Sequence, residues 1–262
     1  MRKSSLFWGS ILLISGIIFL LDNLDIIQID SWKLIGPVLL LATGIWILWG
    51  ALAKSTLQNE RIEIPIRDAR SAKIKIQHGA GKLDIRSLEN PTLLVEGEFR
   101  GGVLQEITQN GEELNVTLRL PAKNVPFDWA PGDSIDWNVR ISNQIPVKLK
   151  LETGAADIHL DLSEMIIREL NFSSGASSST IVMPKHAGLT TAKIETGAAS
   201  VQIRIPEGVA AKIQAQGGLS AITIDNHRFT KREKEYYSPD WEIADHKIDL
   251  KVEVGVGSVD IR

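Results

Sequence analysis

Cysteine is absent from the 262-residue chain, which removes a disulfide framework, a thiolate metal site and a cysteine nucleophile together. No charge excess is present either. Twenty-nine lysines and arginines stand against 32 acidic residues, for a formal net charge of −3, so the basic bias of a nucleic-acid binder is missing. Histidine is scarce, at positions 78, 159, 186, 227 and 246, and no pair has metal-ligand spacing. His159 alternates with Ile158 and Leu160 and reads as an ordinary surface residue. A complete phosphate loop is lacking: Gly79-Ala80-Gly81-Lys82 misses the required spacing and leads into a strand, where a phosphate loop needs a helix N-terminus. Ser173 to Ser179 is not a Gly-x-Ser-x-Gly elbow. Asp157, Asp225 and Asp260 have no base or nucleophile beside them. No catalytic residue, metal or cofactor is assigned, and an enzyme is not expected.

What the chain does contain is repetition. Leu149-Lys-Leu-Glu-Thr-Gly154-Ala-Ala-Asp-Ile-His-Leu160 and Ile194-Glu-Thr-Gly197-Ala-Ala-Ser-Val-Gln-Ile203 are the same sentence: an alternating strand, a glycine corner with small residues, and a second alternating strand. Gly175 and Gly218 lie in related stretches, so the corners at 154, 175, 197 and 218 are spaced by 21, 22 and 21 residues. Gly79 precedes the series and Gly255 follows it. A fixed period in the twenties marks a stacked repeat. The apolar period is two, which excludes helical repeats. One unit cannot bury its apolar face alone, so units must stack. The expected fold is an all-β repeat domain, a β-solenoid or rack of short strands, over residues 62–262. The corner glycines are expected to permit positive φ, and the small residues after them to let successive corners approach closely.

Ahead of it, residues 1–53 read as a transmembrane hairpin, with residues 54–61 as a linker. Leu6 to Leu21 and Leu34 to Leu52 carry no charge. The second run, 19 residues long, can span a bilayer core of about 30 Å. The helices are expected at about 6–24 and 34–52, with Trp8, Trp32, Trp46 and Trp49 near their ends. A cleaved signal peptide is disfavoured, because no small-residue cleavage site follows the first run and a second run comes immediately. Arg2 and Lys3 precede the first helix. Lys54, Arg61, Arg67 and Arg70 follow the second, and the connecting loop holds Lys33 against three aspartates. This bias predicts a two-pass membrane protein with both termini and the β domain cytoplasmic.

Between Gly79 and Gly154 further strands are expected at Thr92–Phe99, Val103–Thr108 and Glu113–Leu120. Asn110-Gly111 is a hairpin signal between the last two. Pro121 to Asp136 reads as a loop capping one end of the core, and Ser163 to Leu170 as a link containing a helical turn. The interval from Gly218 to Gly255 is longer than one period by the stretch from Asn226 to Trp241. There Arg228, Phe229, Lys231, Arg232, Lys234, Tyr236, Tyr237 and Trp241 form a candidate interaction surface, against the plainer reading of a solvated loop pinned by its aromatics.

Two apolar helices followed by Thr153-Gly154-Ala155-Ala156 and Thr196-Gly197-Ala198-Ala199 corners resemble bacterial LiaF-like membrane proteins, which join a LiaI/LiaF-type transmembrane region to a toast-rack, adhesin-related β domain. The resemblance implies a non-enzymatic regulator of the cell-envelope stress response. Its expected partners are the lipid bilayer, a membrane histidine kinase or other membrane signalling protein, and a second copy as homo-oligomer, with no nucleic acid. The alternative is a structural scaffold or adhesin-like protein assembling through the β domain.

Overall fold

The computed structural model describes residues 40–41, 43–45, 58–121 and 134–262. Residues 40–41 and 43–45 are helical. The rest of the expected helices at 6–24 and 34–52 lies outside the described residues. Among those described, no helix is long and apolar enough to cross a membrane.

Every described strand belongs to one unit, Leu57–Ala122 with Ser134–Arg262. In chain order these are β1 (Asn59–Pro65), β2 (Ser71–Leu88), β3 (Leu93–Arg100), β4 (Leu104–Asn110), β5 (Glu113–Arg119), β6 (Asp136–Ser142) and β7 (Val147–Asp161). Then come β8 (Ile167–Val182), β9 (Leu189–Arg204), β10 (Ala210–Ile224), β11 (Thr230–Arg232), β12 (Glu235–Tyr237) and β13 (Lys247–Ile261). β1 thus begins inside the stretch read as a linker.

The long strands hold the repeats, and their burial explains their shape. In β7, Val147, Leu149 and Leu151 are buried, then Ala156, Ile158 and Leu160. Odd positions face inward before Gly154 and even positions after it. A straight strand cannot change parity. The strand therefore folds at its glycine, and its two arms turn their apolar sides toward each other. Leu162 to Ile166 then returns the chain to the start of β8, so one strand plus one short turn makes one coil. That return is a plain turn and not the helical turn expected within Ser163 to Leu170.

Coils stack in register through parallel pairing. Ile76, Leu151, Phe172, Ile194 and Val252 form one inner column of the first arms. Leu83, Ile158, Ser179, Val201 and Val259 form one of the second arms. First arms continue at one end through β5 to β4, joined by the Asn110-Gly111 hairpin. Second arms continue through β6 and β3 to β1. Trp137, directly after the stretch read as a capping loop, fills this end of the core. It is buried in β6, with Phe99 at 5.0 Å and His78 at 5.2 Å between ring centroids. Residues 122–133 of that expected loop lie outside the described residues.

One expectation needs correction. The corner glycines are not the positive-φ glycines, which are Gly81, Gly101, Gly102, Gly111, Gly188, Gly208 and Gly257. Except at Gly79, they are glycine because a Cβ would strike the backbone of the neighbouring coil: Gly154 would meet the Gly79 carbonyl oxygen at 2.5 Å, and Gly197 that of Gly175 at 2.6 Å. Nor do the coils stack in chain order. The last strand, β13, lies between β9 and β10, so Gly255 sits on Gly197 and Gly218 on Gly255.

Candidate interaction surface

On the outer side of the first arms, two columns of side chains run across the stack. One reads Lys75, Lys150, Asn171, Lys193, Lys251 and Gln214; its neighbour reads Gln77, Glu152, Ser173, Glu195, Glu253 and Gln216. Residues two apart on a strand share a face, so charges pair within three of these coils: Lys150–Glu152 at 2.8 Å, Lys193–Glu195 at 2.7 Å and Lys251–Glu253 at 2.7 Å. Glu152 gains more partners. Beside its bond from Lys150 it accepts from Gln77 of β2 and faces Lys75, and these hold its carboxyl down to about 2. The hydrogen bond from Lys251 lowers Glu253, and that to Glu195 raises Lys193. Both columns end uncharged on β10, at Gln214 and Gln216.

The ridge beside the corners changes in the same direction. Ala80, Ala155, Ala176 and Ala198 give way to Val256 and Leu219, and Leu219 is 82% exposed. The β10 end is thus the neutral, apolar end of the stack.

The segment after β10 closes part of that end. Arg228 turns inward and donates to the backbone oxygens of Ile205, Pro206 and Val209. Phe229 is 1% exposed, with the guanidinium 5.1 Å from its ring centroid. Buried Phe229 and half-buried Arg228 latch the turn after β9 and are not part of an exposed surface, which corrects the sequence expectation for them. Next, β11 and β12 form a hairpin turning at Glu233 (φ 56). β12 pairs with β10 only at Lys212↔Tyr237 and Ile213↔Tyr236. Opposed residues share a side, so Tyr236 and Lys231 lie with buried Ile213 on the inner side. Tyr237 and Arg232 lie outside with Lys212. There Lys212 reaches Glu235 at 3.3 Å, and Tyr237 donates to Glu235. Trp241 stands edge-on to Tyr237, and the Lys247 ammonium lies over it at 5.7 Å. Lys231, Arg232 and Lys234 are exposed; Tyr236, Tyr237 and Trp241 are half-buried.

A cleft of about 470 Å³ opens where the hairpin overhangs β10. Ala215, Ile222 and Ile224 line it from β10, and Lys231, Lys234 and Tyr236 from the hairpin. The sequence does not reveal it, because it depends on β10 being an end strand. Among the described residues no group of three or more histidine and acidic side chains could hold a metal ion. His186 and His246 lie 5.4 Å apart between ring centroids, but Nδ1 of His246 accepts the Gly188 N–H.

Two-faced coils stacked in register by parallel pairing, with a distinctive hairpin at one end, define an all-β stack. The chain belongs to the toast_rack family: residues 53–204 match its N-terminal domain, DUF2154. Residues 6–48 match the LiaI-LiaF-like transmembrane region, which makes this a membrane protein. No curated protein matches the chain. A crystal structure of a "putative cell adhesion protein" from Clostridium sporogenes shares 21% identity, covering 79% of this chain and 99% of its own with a TM-score of 0.72, and it shows the same fold. A "putative adhesin" from Bacteroides fragilis matches at 10% identity over 80% of this chain and 98% of its own, with a TM-score of only 0.28.

Proposed function

We propose that this protein is a membrane-anchored, non-enzymatic regulator of cell-envelope stress signalling that acts by contacting another membrane protein. The observation that carries the reading is the union in one chain of a LiaI-LiaF-like transmembrane region and a toast_rack domain. The β stack supports it, since its charges pair with one another within and between coils. The lysine and arginine bias supports a cytoplasmic β domain, where a histidine kinase or its response partner is reachable. Photo-crosslinking from the hairpin face in native membranes tests this. Adducts identified as a histidine kinase or another signalling protein are expected; adducts with none of these overturn it.

A second reading is a scaffold or adhesin. The name of the Clostridium sporogenes structure and the unpaired edge of β10 favour it. Protease added to intact cells separates the two: digestion of the β domain from outside supports the adhesin, and protection supports the regulator.

A further inference from the structure

The two faces of the stack end unevenly at β10. First arms continue through β12 and β11, which project about 10 Å further at ordinary strand spacing. Second arms stop at β10, whose residues from Leu219 to Ile224 pair with β13 on one side and with no described strand on the other. The result is a step. Its wall is the unpaired backbone edge of β10, and its floor is the inner side of the hairpin, with Lys231 exposed and Tyr236 half-buried where every other coil has an opposing arm.

We propose that this step is a binding site for a single extended segment of a partner protein, which adds to β10 as the missing second-arm strand. Backbone pairing supplies affinity, and side chains at alternate positions of the segment enter the cleft. Three observations fix its chemistry. The wall is uncharged from Gln214 to Ile224 and offers Ala215, Ile222 and Ile224, so inward side chains are apolar. The cleft carries Lys231 and Lys234 against Glu233 alone, so one inward side chain is acidic. Unpaired edges of other chains are normally blunted by charge or proline. β1, the second-arm edge at the far end, has Glu60, Arg61, Glu63 and Pro65, while the β10 edge has neither.

A second copy of the stack does not fit here. To continue both faces it would need a strand beside Lys212 and Ile213, where β12 already pairs. A lone strand meets no such obstacle.

This inference deepens the partner-contact reading and rests on it, but its test is separate. The full chain in detergent micelles is titrated with a labelled six-residue peptide of alternating threonine and, on the other face, valine, glutamate and valine. Saturable binding is expected. Lys231→Glu should weaken it about tenfold, the scale of reversing one close charge pair, and a peptide carrying lysine for glutamate should restore it. Lys234→Glu, at the exposed turn, should act in the same direction, and Arg232→Glu on the hairpin's outer side should leave binding unchanged. No saturable binding, or binding indifferent to the charge exchange, overturns the site. So does concentration-dependent dimerisation in sedimentation that an Ile222→Lys substitution abolishes, because it assigns the edge to a second copy. Peptide binding without signalling adducts in membranes sinks the regulatory role and spares the site.

Discussion

A single missing methyl group decides what each corner tolerates. In Gly197 an added Cβ would lie 2.6 Å from the Gly175 carbonyl oxygen, whereas in Gly79 it would meet only the Leu120 Cδ2 at an ordinary 3.6 Å. Gly197→Ala must push two coils apart and should cost about 1–3 kcal/mol, as overpacking does. Gly79→Ala should be close to neutral. Thermal unfolding followed by circular dichroism compares them, and equal shifts would refute the stacking role. His78 is the other informative residue. It is 2% exposed, with Nε2 on the Ile135 carbonyl and Nδ1 unpartnered. Burial lowers its pKa below the ordinary 6.5, outweighing the Ile135 bond and Asp136. The folded state thus favours the neutral ring. That stability is complete above about pH 6.5 and is lost as the pH falls through the depressed folded value. Chemical denaturation from pH 7.5 to 5 should show wild type losing stability relative to His78→Gln over this window.

The repeated strands were legible because apolar period and corner spacing are local: Leu149, Leu151, Ile158 and Leu160 alternate however the coils are ordered. The order itself was hidden. Val252 and Val259 alternate as Ile213 and Ile222 do, and nothing in either strand says that β13 separates β9 from β10. For the same reason the step at β10 could not be read from sequence, although its lysines and tyrosines could. Arg228 shows the limit of reading charge as surface, since it stands in a basic run yet spends its guanidinium on three carbonyls. Replacing it strands those acceptors. Arg228→Met should destabilise the domain by about 2–3 kcal/mol and speed hydrogen exchange in the turn at residues 205–209 more than in β7. Uniform protection loss, or none, would contradict the latch.

As a whole the stack is nearly one-dimensional, each coil touching only its neighbours, and such arrays usually tolerate loss of a terminal repeat. This one should not. Deleting residues 247–262 removes an internal layer and strips both β9 and β10 of a parallel partner. Limited proteolysis of the truncated full-length membrane protein should therefore cut throughout β9 and β10 and leave β2, β7 and β8 protected. A truncated chain as resistant as the intact one would show that the layers can close over the gap. The placement of β13 also governs how the chain is made. A linear array can build coil upon coil as it leaves the ribosome, but here the layer that joins β9 to β10 is synthesised after both of them. The nascent chain must hold a strand-wide slot open until β13 emerges. A prematurely ended product is therefore left with two bare edges that the cell's proteases can recognise.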